Sequence, residues 1–222
     1  MQTVAENELL IQIICGSRRR RHLPRPHRAQ SRPADAGSRG RQPLDEGSAA
    51  TASKLGIPVG LSSDVATTAS ADQFTQMHAI FASERARRHQ AAWDEDLVGN
   101  TTTPDLVDSR QVLRWATIEG AMVAGVDDRT GSITPGKKAD IVIIDGSAVN
   151  VAPIIDPVGA VVCAADISNV KTVVVDGRVV KEDFKLKADL AGPRKAVEAS
   201  RDYLVSKFGV PEPGWLVKEG VG

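Results

Sequence analysis

Asp64 is the residue of this sequence whose type and position could do chemistry. It follows a short apolar run, Gly56–Leu61, in the stretch GIPVGLSSDVATTASADQFTQM. A carboxylate there could take up a proton, but an aspartate after a strand also serves as a loop residue or a helix cap. Ser62 and Ser63 precede it without a G-x-S-x-G pattern or a histidine placed to activate either hydroxyl, which argues against a serine hydrolase.

The histidines of the chain do not form a metal-ligand pattern. His22 and His27 lie in an arginine-rich segment with no strand before them. His78 and His89 fall on one predicted helix, where their spacing corresponds to ~16 Å of rise, too far apart to share one ion. We interpret His78 and His89 as solvated helix residues, because a catalytic zinc ion usually takes about three protein ligands.

Composition indicates a globular protein without a strong electrostatic preference for any partner. The 222 residues are 41% hydrophobic and carry a formal net charge of +0, which gives no reason to expect nucleic acid or membrane binding. Cys15 and Cys163 lie far apart without CxxC spacing, which favours a reducing cytoplasm. The run Glu8–Cys15 is too short to span a bilayer, and arginines follow it, the wrong order for a signal peptide. We therefore expect a soluble, cytoplasmic protein.

Residues 1–53 read as a low-complexity segment rich in arginine, proline and serine, with too few large apolar residues for a core. It could be a disordered linker, or a basic arm for nucleic acid or nuclear targeting, although no aromatic residues are interleaved to stack on bases. It could also be out-of-frame translation of a GC-rich gene, which yields mostly Arg, Pro, Ala, Gly and Ser. We favour this last hypothesis.

Residues 54–130 show a strand, a loop and two helical segments. We predict a buried parallel strand over Gly56–Leu61. A capping box over Ser70–Gln73 is predicted to start the first helix. Its apolar residues recur at helical spacing: Phe74, Met77, Ile80 and Phe81. After a loop over Asp94–Asp105, Asp108 or Ser109 should cap a second helix that ends at Gly125.

Residues 131–185 change to the composition of strands. Three β-branched runs predict strands: Ala139–Asp145, Val158–Ala165 and Val170–Asp183. The pair Asp176-Gly177 inside the last run predicts a hairpin with a type I′ turn. Residues 186–222 should form a last helix around Pro193–Phe208 and an extended tail.

The stretch LRWATIEGAMVAGVDDRTGSITPGKKADIVIIDG, Leu113–Gly146, resembles the C-terminal signature of the amidohydrolase superfamily, in its cytosine/adenosine deaminase and chlorohydrolase-like branch. That branch carries an AT-x-x-GA helix followed by a GS-x-x-PGK-x-AD turn and a strand. VKTVVVDGRVV, Val170–Val180, is similar to the hairpin that closes the same small β-sandwich. The resemblance runs from about Gly56 to about Asp183.

The resemblance implies the last part of a (β/α)₈ TIM-like barrel, then the C-terminal half of a composite β-sandwich and a terminal helix. It implies a metal-dependent hydrolase of carbon–nitrogen bonds other than peptide bonds, in which metal-activated water attacks a ring or amidine carbon. Asp64 would then follow the last barrel strand, contact a Zn or Fe ion or its water, and carry a proton. The substrate would be a small nucleobase- or triazine-like heterocycle, and the enzyme could be a homo-oligomer.

The expected metal ligands and most barrel strands are absent from this chain, because a complete barrel takes ~250 residues. We therefore expect a truncated chain that holds no metal and is inactive alone. The alternative is a non-catalytic binding or assembly module whose basic N-terminal arm engages nucleic acid or an acidic partner.

Overall fold

A computed structural model describes residues 8–11, 49–63, 70–97 and 106–210, with only the backbone described for 8–11. The chain divides into two compact units, Met1–Leu186 and Lys187–Gly222. In chain order the elements are β1 (Glu8–Ile11), α1 (Ala49–Lys54), α2 (Gln73–Asp94), α3 (Ser109–Ala116), α4 (Ile118–Ala124), β2 (Ile141–Asp145), α5 (Pro157–Cys163), β3 (Val170–Val175), β4 (Arg178–Glu182), β5 (Lys185–Leu186) and α6 (Ala191–Phe208). The mixed helix and strand content agrees with the predicted α/β class.

Helix α2 presents the predicted apolar face to the core. Phe74 and Met77 are buried, and Ile80 and Phe81 pack against the same core while partly exposed. The predicted capping box at Ser70 is wrong, because Asp72 is the N-cap and its side chain accepts from the backbone N–H of Thr75 at 2.8 Å. The aspartate lies directly before the first helical residue, where its carboxylate reaches an amide that Ser70 would not.

The second predicted helix is broken in two at Thr117. Asp108 caps α3 as expected, accepting from Gln111 N at 2.7 Å, and Gly125 ends α4 in the left-handed conformation. Between them the backbone of Thr117 leaves the helical region, at φ −124° and ψ −103°, and its hydroxyl donates to the Leu113 carbonyl at 2.7 Å. A threonine hydroxyl that bonds the preceding turn in this way competes with the helical hydrogen bonds.

One antiparallel sheet has the strand order β1-β2-β3-β4-β5. Strands β3 and β4 form the predicted hairpin, and both turn residues have positive φ, 50° at Asp176 and 78° at Gly177. Strand β1 pairs with β2 with Glu8 opposite Asp145, so the two ends of unit 1 contribute to the same sheet. The predicted low-complexity segment 1–53 therefore contains a strand and the start of α1.

The strand predicted over Val158–Ala165 is wrong, since Pro157–Cys163 forms helix α5. Asp156 caps the helix by accepting from the Val158 N–H at 3.2 Å, and Pro157 occupies the first turn, where its missing N–H costs nothing. Val161 and Val162 are buried against the other helices. Packing of this face outweighs the strand preference of the valines.

The parallel strand predicted over Gly56–Leu61 is also not formed. Residues 57–63 have no regular secondary structure, and no strand of the described residues pairs with them. A parallel strand is defined by its neighbours, so a run without a pairing partner is not a strand.

The core of unit 1 lies between the helices and the sheet. It is built from α2, α3, α5, β2 and β3, with Trp115, Met77 and Ile144 among its fully buried side chains. The predicted parts 54–130 and 131–185 therefore share one core. Asn169 is buried there, where it exchanges hydrogen bonds of 2.8 and 3.0 Å with Asn150.

In unit 2, α6 spans Ala191–Phe208, across the range predicted for the last helix. Three of its apolar side chains are exposed: Val197, Leu204 and Phe208. No helix in the described ranges is long and apolar enough to cross a membrane.

Candidate functional site

Segment 57–63 and the start of α2 flank the predicted catalytic residue. Asp64, predicted as the catalytic and metal-binding residue, lies outside the described residues, as do His22, His27 and Cys15. On the near side, Val59 and Leu61 pack against the core. On the far side, the described chain resumes at Ser70. The role of Asp64 therefore stays a prediction.

The start of α2 is fixed by Asp72. Its carboxylate accepts from Thr75 N at 2.8 Å, from the Thr75 hydroxyl at 2.8 Å and from the Ser70 hydroxyl. Partial burial raises the pKa of Asp72, but these hydrogen bonds to the charged form together lower it below the ordinary value. Asp72 is thus an ionised structural cap.

Helix α4 contacts segment 57–63 through the side chain of Glu119 and through its backbone at Gly120. Glu119 Oε2 accepts from the Val59 N–H at 3.4 Å, and Glu119 Oε1 accepts from Arg114 Nε at 3.2 Å. Gly60 lies so close that a Cβ added to it would stand 3.4 Å from Gly120 Cα. Sequence reasoning missed Glu119 and Arg114, because neither residue forms a recognisable pair or motif with Val59.

The signature turn, residues 131–140, packs against α4 through Gly131. Gly131 has a φ of +87°, and a Cβ added to it would lie 2.7 Å from the Ala121 side chain and 3.0 Å from Ile118 Cα. Lys137 Nζ donates to the Thr130 carbonyl at 3.2 Å, across the same turn. Gly131 and Gly136 are the two glycines of the GS-x-x-PGK-x-AD turn, and both have positive φ.

A cleft of ≈ 190 Å³ opens beside the amino end of segment 57–63. It is lined by Ser53, Gly56, Ile57, Pro58, Arg114, Glu119 and Met122. In barrel enzymes the chemistry lies at the carboxyl ends of the strands. The cleft lies at the amino end of segment 57–63, whereas Asp64 follows the carboxyl end of that segment in the chain.

The described side chains do not provide a set of metal ligands. His78 is half-buried and its Nε2 has no hydrogen-bond partner among the described residues, while His89 is exposed. Cys163 is a free cysteine, and burial raises the pKa of its thiol, with a smaller opposing effect from Arg85. Within the described ranges, no three His, Cys, Asp or Glu residues could hold one ion. These residues therefore do not fit a catalytic zinc site, which takes about three protein ligands.

The chain is similar in sequence to nucleoside deaminases. It is 35% identical over 135 residues to a 5-methylthioadenosine/S-adenosylhomocysteine deaminase of Acetivibrio thermocellus, covering 60% of this chain and 28% of that protein. It is 35% identical over 89 residues to a 5'-deoxyadenosine deaminase of Methanosarcina barkeri, covering 40% of this chain and 20% of that one. The chain thus spans less than a third of the length of these relatives.

Two solved structures share the fold. One is an adenosine deaminase from Xanthomonas campestris with bound zinc, at a TM-score of 0.56 and 24% identity, covering 71% of this chain and 34% of that one. The other is an atrazine chlorohydrolase from Arthrobacter aurescens complexed with zinc, at a TM-score of 0.53 and 21% identity, covering 70% and 31%.

Residues 30–180 match the amidohydrolase family, which is more than half of the 222 residues. The resemblance seen in Leu113–Gly146 lies inside this match. The chain belongs to the amidohydrolase family.

Proposed function

We propose that this chain is part of a hydrolase that acts on carbon–nitrogen bonds other than peptide bonds, of the deaminase and chlorohydrolase type. The observation that carries the proposal is the family match over residues 30–180. The described elements support it: segment 57–63, helices α2 to α4 and then an antiparallel sheet follow one another in the chain. We assign the sheet to the composite β-sandwich, α6 to the terminal helix, and segment 57–63 to the place of the last barrel strand, for which additional polypeptide would supply the pairing partner that it lacks among the described residues.

The substrate we propose is a small heterocycle with an exocyclic leaving group. The relatives are named for 5-methylthioadenosine, S-adenosylhomocysteine and 5'-deoxyadenosine, and one structural neighbour is named for atrazine. All of these contain an aromatic nitrogen heterocycle. An adenine-type ring is the first candidate, because the relatives with the higher sequence identity carry it in their names.

A divalent metal is expected from the neighbours solved with zinc. The described donors of this chain do not fit such an ion, so we assign no reaction step through it. We propose that Asp64 of this chain is the carboxylate that takes up a proton and returns it to the leaving group.

We further propose that the ligand set is supplied by additional polypeptide and that this chain alone is inactive. The support is the coverage of the relatives, 28% for the Acetivibrio protein, together with the incomplete donor set in the described residues. Sequencing the gene from well upstream of Met1 through codon 60, and translating all three forward frames, locates such a segment.

Ammonia release tests the activity. Both the full chain and any longer product are assayed with zinc on 5'-methylthioadenosine, adenosine, guanine and cytosine, and bound zinc is measured in parallel. We expect turnover and stoichiometric zinc in the longer product only. Robust turnover by this chain alone would overturn the truncation, and no turnover by a zinc-loaded longer product would overturn the proposed hydrolase.

A further inference from the structure

We propose that Glu119 is a positioning residue that fixes the segment leading to Asp64. The inference rests on the proposed function, since the placement of Asp64 matters to chemistry only if Asp64 takes part in it. Val59 lies five residues before Asp64 in the chain, and Glu119 is the side chain that holds its backbone.

The carboxylate of Glu119 divides its two oxygens between two partners. Oε2 faces the Val59 N–H at 3.4 Å, and Oε1 accepts from Arg114 Nε at 3.2 Å. The Glu119 side chain is only 13% exposed, while that of Arg114 is 59% exposed. The arginine therefore lies on the solvent side and holds the carboxylate in position for the backbone amide.

The close approach of Gly60 and Gly120 explains how the Glu119 carboxylate reaches Val59. Gly60 and Gly120 face each other without side chains, and a Cβ on Gly60 would be 3.4 Å from Gly120 Cα and 3.5 Å from Val123 Cβ. Because α4 and segment 57–63 approach closely, the first turn of α4 brings Glu119 to the amide of Val59. An added Cβ at position 60 would make van der Waals contact with α4, so the two backbones lie as close as side-chain-free residues allow.

The hydrogen bond from the Val59 N–H to Glu119 takes the place of a backbone hydrogen bond to a neighbouring strand. A backbone N–H in a strand pairs with a carbonyl of the neighbouring strand. Segment 57–63 has no strand partner among the described residues, so Glu119 supplies the acceptor for the Val59 N–H while the Val59 side chain packs against the core. Removing the carboxylate should therefore loosen this segment before it loosens the core.

Amide hydrogen exchange of the full chain measures this directly, residue by residue. We expect Glu119→Ala to speed exchange of the Val59 amide by about 3- to 10-fold, the effect of losing one ordinary hydrogen bond, because the 3.4 Å between Val59 N and Glu119 Oε2 is long for a charged acceptor. Glu119→Gln keeps an acceptor oxygen and should restore most of the protection. Asp128→Asn is the control, because Asp128 lies in the same signature, is exposed and forms an ion pair with Arg129 at 3.6 Å.

The outcomes separate a local role from a general one. Faster exchange at Val59 in Glu119→Ala, with buried core amides such as that of Ile144 unchanged, supports the inference. Unchanged exchange at Val59 overturns it, and so does a uniform rise throughout the chain, which would make Glu119 a general stabiliser. If Glu119→Ala does not fold, the folded Glu119→Asp variant, whose shorter side chain cannot reach Val59, must show the local rise. Because the measurement needs no turnover, it is independent of whether the proposed hydrolase is active.

Discussion

Asp140 Oδ1 accepts a hydrogen bond from the backbone N–H of Asp176 at 2.7 Å, across 36 residues of chain. Its other oxygen, Oδ2, accepts from the Thr130 hydroxyl at 2.9 Å. The aspartate that ends the signature turn thereby joins the β3–β4 hairpin to the turn that packs on α4. Lys138 Nζ adds an ion pair with Asp176 at 2.8 Å. The signature is therefore a structural connection between the sheet and the helix that contacts segment 57–63.

Replacing Asp140 tests this connection. We expect Asp140→Ala to lower the free energy of unfolding by about 1.5–3 kcal/mol, because two hydrogen bonds to one carboxylate are lost. Asp140→Asn should lose less, since its amide oxygen still accepts from one donor. Urea unfolding measures both variants, with Asp128→Ala as the exposed control, expected within about 0.5 kcal/mol of the unmodified chain. Equal effects of Asp140→Ala and the control would contradict the prediction.

Gly131 and Gly136 form a matched pair for testing close packing against α4. Both have positive φ, but a Cβ at position 131 meets Ala121 at 2.7 Å, while a Cβ at 136 meets no atom of the described residues within 4 Å. Gly136→Ala should cost about 1–2 kcal/mol from backbone strain alone. Gly131→Ala should cost about 2–4 kcal/mol, because overpacking adds to the strain.

Thermal and urea unfolding of the two glycine variants give the comparison. The difference between them reports the steric contact, since the backbone term is shared. If Gly131→Ala is no less stable than Gly136→Ala, the turn does not pack tightly on α4.

The pKa of Asp72 predicts how its cap depends on pH. Its folded-state pKa lies below the ordinary value, so its contribution to stability is complete above the unfolded pKa of ~3.9 and is lost as pH falls through the folded pKa. Asp72→Asn keeps a good N-cap but does not titrate. We expect the stability of the unmodified chain relative to this variant to be constant from about pH 7 to 5 and to fall in stronger acid.

Urea midpoints of the two proteins at each pH supply the measurement, and the titration of all other groups cancels in the difference. A difference that does not change below pH 5, or that moves in favour of the unmodified chain, would show that the pKa of Asp72 is not lowered by folding.

Asp64 is the residue on which the proposed chemistry depends. In the zinc-loaded longer product, Asp64→Asn should lower kcat/KM for ammonia release by about 10²- to 10⁴-fold, the usual contribution of a general acid–base. Asp72→Asn, on the other side of the same loop in sequence, is the matched control and should retain activity. Comparable rates for Asp64→Asn and the unmodified protein would remove Asp64 from the catalytic residues.

Local interactions made several elements predictable from sequence. The Asp176-Gly177 turn, the strands around it and the cap at Asp108 depend on a few neighbouring residues, and the structure has them as expected. The apolar spacing of Phe74 and Met77 identified the buried face of α2 for the same reason. The signature residues also identified the family, which the match over residues 30–180 confirms.

Tertiary structure decided the remainder, because the deciding partners are distant in sequence. Packing against α2 and α3, with the cap at Asp156, makes a helix of the valine-rich Pro157–Cys163, where local propensity predicts a strand. The run Gly56–Leu61 has the composition of a strand but lacks a pairing partner among the described residues. The contact between Glu119 and Val59 spans 60 residues, and only the close approach of Gly60 and Gly120 brings those two residues together.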